Sequence, residues 1–232
     1  MAALQPAQMV SHFPATTERA TAGSVGYRAT VPPKKKATEA LAVFEANLAR
    51  SRAFLRIFDN DRGVGHPTND EKELLRGSLV FAVGALDADL SDLILEIVPQ
   101  HAPASSELAD ALKAIARADP GLSLRVALAP SSADRKAEFR AALAEWLSTK
   151  SFHGPEKITQ ALGYVACPLS WDDLDVVTGQ PTAKELAKIT NDRHAIVHEG
   201  KRPYIRRDLA EAANNLVASI ARHIDSQVSA KY

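Results

Sequence analysis

The sequence lacks several features that mark particular classes of protein. Among its 232 residues Cys167 is the only cysteine, which excludes an intramolecular disulfide framework and a zinc site built from several cysteines. Lysine and arginine total 28, and aspartate and glutamate also total 28. This balance excludes a globally basic nucleic-acid binder, but it is compatible with a local basic patch.

Long apolar runs and targeting signals are also missing. No run approaches the roughly 20 apolar residues that span a bilayer. Residues 1–14 lack the charged start and apolar centre of a signal peptide, so we expect a cytoplasmic protein without membrane contact. Residues 1–36 are rich in Ala, Thr, Pro and Gly without sustained periodicity, which predicts a flexible N-terminal arm.

Residues 37–232 predict a single helical domain, because apolar side chains recur at helical spacing in several long stretches. In the second of these stretches, Thr68 and Glu71 form a capping-box pattern at the start. Its apolar stripe comprises Leu75, Leu79, Val83, Leu86, Leu90, Leu93 and Ile97. Residues 122–128 alternate like one short strand without a visible partner. The predicted fold class is all-α, an antiparallel helical bundle with a helical insertion at about 99–181.

Other local patterns concern helix ends and single side chains. Thr182 with Glu185 and Asp208 with Glu211 predict capping of the last two helices. Asp87 lies within an otherwise apolar run, so it either needs a cationic partner on a facing helix or belongs to an exposed face. The predicted stripe of the last helix is Leu209, Ala212, Leu216, Ile220 and Ile224. A further packing cluster is predicted for Trp171, Leu174 and Val177.

Residues 191–200 hold an arginine and two histidines at the end of a predicted amphipathic helix. Gly200 is typical of a helix terminator, so His198 falls in the last turn. Arg193 lies about 140° away around an ideal helix, but its long side chain reaches the same cleft. An imidazole accepts or donates the protons of phosphoryl transfer, and a guanidinium stabilises a pentacoordinate phosphate. Arg193 and His198 therefore predict metal-independent cleavage of RNA to a 2′,3′-cyclic phosphate.

Other interpretations of this stretch stay open. His194 and His198 have a spacing that binds zinc, but Glu199 follows the second histidine instead of the first, unlike a metalloprotease helix. Arg193 alternatively pairs with an acid such as Asp87, with His198 only capping the helix. The basic segment that follows is either a solvated face or an RNA-binding surface. The candidate RNA-binding residues are Lys201, Arg202, Tyr204 and Arg206.

Segment 193–200, which reads RHAIVHEG, resembles the Arg-x4–6-His signature of the HEPN superfamily (higher eukaryotes and prokaryotes nucleotide-binding domains). A polar residue often follows the arginine of that signature, and His194 occupies this place. The second helix, from Arg76 through Asp87 to Leu93, resembles the matching helix of the RiboL-PSP-type HEPN group. The resemblance covers residues 38–228, with specific residues only in the second helix and the motif.

The resemblance implies a bundle that dimerises so that two motifs face one shared cleft. It also implies endoribonuclease activity in toxin–antitoxin, antiviral or stress-response settings, with an antitoxin or another regulatory protein as a partner and no cofactor or metal. Arg193 is then the phosphate-stabilising cation and His198 the catalytic imidazole, with His194, Asp87 and Asn191 in supporting places. Some members keep the fold without cleavage, so a non-catalytic nucleotide-binding, RNA-binding or assembly module is the alternative.

Overall fold

The computed structural model describes residues 36–61 and 65–232, and within these ranges it contains helices and no β-strand. The all-α fold class is therefore confirmed. The predicted arm, residues 1–36, lies outside the described residues except for Lys36. None of the described helices combines the length and apolarity needed to cross a membrane. The helices are α1 (Glu39–Asp61), α2 (Asn69–His101), α3 (Ser106–Ala118), α4 (Leu122–Leu128), α5 (Ser132–Ser148), α6 (Pro155–Tyr164), α7 (Trp171–Thr178), α8 (Thr182–His198) and α9 (Arg207–Lys231).

The helix α2 is central, because it packs against α1, α5, α6, α8 and α9. Its predicted capping box is present: the Glu71 N–H donates to Thr68 Oγ1 at 3.2 Å, and the Thr68 N–H donates to Glu71 Oε2 at 2.5 Å. Every member of its predicted apolar stripe is buried. The helix runs past Pro99, whose missing N–H leaves the Leu95 carbonyl without its helical partner. The Arg140 guanidinium donates to that carbonyl instead.

A buried polar network ties α1, α2 and α9 together inside this core. Asn214 on α9 donates through Nδ2 to Ser78 Oγ at 2.9 Å and to the Ala210 carbonyl at 2.8 Å. Ser51 Oγ on α1 lies 2.7 Å from Asn214 Oδ1 and 2.6 Å from the Ser78 carbonyl. Because each buried polar group finds a partner, the network fixes how the three helices pack.

The strand-like alternation at 122–128 does not correspond to a strand, since these residues form α4. Leucine, arginine and alanine are good helix formers, and an isolated strand would leave its backbone groups unpaired. Arg125 holds the short helix in place by donating to Asp119 and, at 3.1 Å, to Glu138 on α5. Seven residues of alternating pattern were too short a signal to separate strand from helix.

The predicted side-chain caps of the last two helices are also wrong. Pro181 is the N-cap of α8 and Arg206 that of α9, and neither makes a side-chain capping bond. Thr182 is already the first helical residue, and its N–H donates to Asp175 Oδ1 at 2.7 Å. Asp208 pairs with Arg206 instead of capping α9. Three residues predicted to pack are exposed: Leu209, Ala212 and Val177.

Candidate functional site

The last two turns of α8 bring the predicted arginine and histidine together. Arg193 Nη1 lies 3.0 Å from His198 Nε2, so the long arginine side chain bridges the angular offset along the helix. Arg193 is half-buried, while the His198 ring is exposed at the helix end. Gly200, at φ +62°, turns the chain out of the helix, and the Lys201 N–H donates to the Ala195 carbonyl at 3.0 Å. The pair therefore sits on an anchored helix end that is open to solvent.

The direction of this hydrogen bond fixes the state of the imidazole. A guanidinium is always a donor, so His198 Nε2 must accept and carries no proton in this arrangement. Arg193 Nε is buried and makes no hydrogen bond within the described residues. The surrounding protein therefore does not satisfy every donor of this guanidinium. The site thus offers a proton acceptor next to a fixed positive charge.

A second histidine and a carboxylate complete the helix end. The rings of His194 and His198 lie 4.9 Å apart between centroids at an interplanar angle of 38°. His194 Nε2 is 3.7 Å from Glu199 Oε1, and Lys201 Nζ is 2.6 Å from Glu199 Oε2. The hydrogen bond from Lys201 lowers the pKa of Glu199, which keeps this carboxylate ionised. The local sequence pattern did not indicate this contact between Glu199 and His194.

Two further acids have different surroundings. Asp192 on α8 is half-buried, and burial raises the pKa of its carboxyl. Asp87 accepts a hydrogen bond from the Phe152 N–H, and its carboxylate lies 3.6 Å from His153 Nδ1. The partner that Asp87 needs is thus a histidine on the loop before α6, while Arg193 donates to His198. In the described ranges, no group of three or more His, Cys, Asp or Glu side chains is placed to hold a metal ion.

The remaining candidate side chains lie on the surface around the motif. Asn191 is exposed on α8, two residues before Arg193. Lys201 and Arg202 pair with acids, since Arg202 Nε lies 3.5 Å from Glu73 Oε1. Arg206 is paired with the exposed Asp208, and Tyr204 has 67% of its surface exposed. The basic segment therefore presents one free aromatic ring among partly paired cations.

A buried arginine that local sequence patterns did not reveal holds this segment. Arg76 on α2 is only 7% exposed. It donates through Nε to the Pro203 carbonyl at 3.0 Å and through Nη2 to the Arg202 carbonyl at 3.3 Å. Its third contact is with Glu73 Oε1 at 2.8 Å. Ile205, 3% exposed, inserts next to these bonds. The loop after the motif is therefore fixed against the start of α2.

Comparisons of the chain with protein-family models, with curated proteins and with solved structures give no match. The HEPN resemblance consequently rests on the motif and the second helix alone.

Proposed function

We propose that the protein is a metal-independent endoribonuclease. The observation that carries this proposal is the 3.0 Å contact between Arg193 Nη1 and His198 Nε2 at an exposed helix end. An imidazole nitrogen can accept the proton of a ribose 2′-hydroxyl as it attacks the adjacent phosphate, and a guanidinium can stabilise the charge of the transition state. DNA lacks this hydroxyl and is not a substrate.

In the proposed reaction Arg193 moves its hydrogen bonds from His198 to the scissile phosphate. His198 Nε2 takes the proton of the 2′-hydroxyl while the 2′-oxygen forms its bond to phosphorus. The bond from phosphorus to the 5′-oxygen then breaks, and protonated His194, held by Glu199, gives a proton to that oxygen. The products are a 2′,3′-cyclic phosphate and a 5′-hydroxyl, and the guanidinium stabilises the charge of the transition state.

The proposal includes a homodimer with the site at the interface. Supporting it, Val197 is 45% exposed although it lies next to His198 on the motif helix. In the proposed dimer the second copy of the chain covers this side chain. The toxin, antiviral or stress-response setting and the antitoxin partner follow from the HEPN resemblance, and they remain part of the proposal.

Purified protein incubated with RNA in excess EDTA tests the proposed activity. We expect cleavage to fragments with cyclic phosphate ends, and a loss of about a hundredfold or more in Arg193→Ala and His198→Ala. His101→Ala, which removes an exposed histidine at the far end of α2, is the matched control and should cleave normally. Full activity of His198→Ala would sink the proposal.

A non-catalytic nucleotide- or RNA-binding module is the second candidate. It is favoured by Glu199, because an ionised carboxylate next to His194 opposes the approach of a phosphate. This alternative predicts that the wild type binds RNA without cutting it, and that Arg193→Ala weakens binding only.

A further inference from the structure

A second cationic surface lies at the same end of the bundle as the motif. The loop after α8 crosses the start of α2, where Arg76 holds it, and enters α9 next to the end of α1. Arg207, at the start of α9, donates to both carboxylate oxygens of Asp59 at 2.9 and 2.8 Å and to Glu211 at 2.8 Å. This fixed arginine stands between two clefts.

The two clefts meet at Arg207. The first has a volume of about 420 Å³, and Lys72, Tyr204 and Arg206 contribute to its lining. The second has a volume of about 220 Å³, and Arg52, Arg56 and Asn215 contribute to its lining. Arg207 belongs to both linings, so the clefts follow one another across the surface.

The clefts carry more positive than negative charge. The three acids in their linings are all paired: Asp208 pairs with Arg206, while Asp59 and Glu211 share Arg207, which offsets one of their two charges. Arg52, Arg56 and Lys72 make no ion pair within the described residues. The Arg206–Asp208 pair is exposed on both sides, so it contributes little and exchanges readily for another anion. The surplus cations are therefore available to a polyanion.

We propose that these clefts form one channel, defined by Arg52, Arg56, Lys72 and Tyr204, that binds the flank of a single-stranded RNA. The inference rests on the proposed function, since the same strand passes the motif. Phosphates lie against the unpaired cations, and a base stacks on the Tyr204 ring, which is 67% exposed. Stacking requires an unpaired base, so the channel selects single strands over duplexes. Arg76 holds the backbone at Pro203, directly before the residue that carries this ring.

Salt-dependent binding tests the channel. The full chain carrying His198→Ala, which prevents cutting, is titrated with a fluorescent 12-nucleotide RNA at several salt concentrations. Arg52→Gln with Arg56→Gln should weaken binding about tenfold or more at low salt and reduce the slope of log K against log[salt] by about 1.4, at about 0.7 per lost phosphate contact. The matched control, Arg117→Gln with Lys136→Gln, removes the same charge from exposed positions on α3 and α5.

A second pair of variants separates stacking from charge. Tyr204→Ala should weaken binding of the 12-mer about fivefold or more, and Tyr204→Phe should keep it. Equal losses in the channel and control double variants would show diffuse attraction and overturn the channel. Tighter binding of duplex than of single-stranded RNA would overturn it too, as would no RNA binding at all. Binding through these residues by a wild type that does not cut RNA would support the channel and refute only the ribonuclease.

Discussion

Arg193 and His198 restrain one another at the level of single residues. While the guanidinium donates to His198 Nε2, this nitrogen acts as an acceptor and is occupied. A phosphate competes for the guanidinium because a charge-assisted bond to an oxyanion is stronger than a bond to a neutral ring. Substrate binding would therefore release His198 Nε2 when a proton acceptor is needed for the 2′-hydroxyl.

Replacing His194 tests whether the second imidazole protonates the leaving oxygen. We expect His194→Ala to slow cleavage of ordinary RNA by about a hundredfold, because a 5′-alkoxide leaves poorly without a proton. An RNA with sulfur in place of the scissile 5′-oxygen needs no such proton, so the variant should cut it at nearly the wild-type rate. Single-turnover rates on the two substrates give the comparison.

The control for this experiment is His198→Ala, which removes the proton acceptor and should stay slow on both substrates. Equal slowing of His194→Ala on the oxygen and sulfur substrates would show that His194 does not donate the proton. The 4.9 Å separation of the two rings would then reflect packing of the helix end only.

Asp89 makes stability depend on pH. Burial, together with the nearby carboxylate of Asp225, raises the pKa of Asp89 to about 8 from 3.8. Between these values the folded chain holds a proton that the unfolded chain has lost. Its free energy of unfolding therefore falls as the pH rises through this window, by at most about 1.4 kcal/mol per unit. We expect Asp89→Asn to flatten this dependence in urea unfolding at pH 5, 7 and 9.

The exposed Asp172, changed to asparagine, is the control for Asp89 and should leave the pH profile as it is. Because the amide mimics the protonated carboxyl, Asp89→Asn should also be more stable than wild type at pH 9. An Asp89→Asn variant that loses stability with pH as steeply as the wild type would mean that the carboxyl is already ionised in the folded chain.

At the level of elements, Arg76 connects α2 to the loop before α9. Arg76→Met keeps the packing of the side-chain stem but leaves the Arg202 and Pro203 carbonyls without their donor. We expect a loss of about 1–3 kcal/mol in the free energy of unfolding and faster hydrogen exchange at residues 201–206. Chemical denaturation and exchange mass spectrometry measure the two effects.

Arg222→Met is the matched control for Arg76. Arg222 forms an ion pair with Glu45 at 2.7 Å, but its side chain is 54% exposed, so its loss should cost about 1 kcal/mol or less. If both variants were equally mild and exchange at 201–206 did not change, the loop would be held by Ile205 and not by the arginine.

The elements that sequence predicted well are those with long, regular signals. The apolar stripe of α2 and the capping box of Thr68 and Glu71 both depend on residue spacing within a few helical turns. The helix α4 was not predicted, because seven residues are too few to define a hydrophobic period. The caps at Thr182 and Asp208 failed because matching residue types do not reveal which residue is the first helical one.

In the candidate site, too, local contacts were predicted and distant ones were not. Arg193 and His198 share one helix, so their spacing was enough to predict that they meet. The partners of Asp87 and Arg76 lie far along the chain, and no local period marks such contacts. For Asp87 the sequence left a cationic partner on a facing helix and an exposed face both open, and the structure places it 3.6 Å from His153 on a loop.

On the scale of the whole molecule, most of the candidate functional residues lie at one end of the bundle. The end of α8, the starts of α2 and α9 and the end of α1 converge there, joined by Arg76 and by the Arg207–Asp59 pair. The segment α3–α7 lies between α2 and α8 in sequence, yet it returns the chain so that α8 packs on α2 and α9. The intervening helices therefore leave the motif attached to the core helices.

This arrangement predicts how self-association controls activity. If a second copy covers the motif end, Val197→Glu places a charge in the interface and should convert a dimer to a monomer with little or no RNA cleavage. Val176→Glu on α7 makes the same change at a side chain that is 85% exposed, and it should affect neither property. Sedimentation velocity and cleavage rates are measured on the same samples. The contrary result would be a monomeric wild type whose cleavage rate equals that of Val197→Glu. Each motif would then work alone, because Arg193 and His198 already meet within one chain.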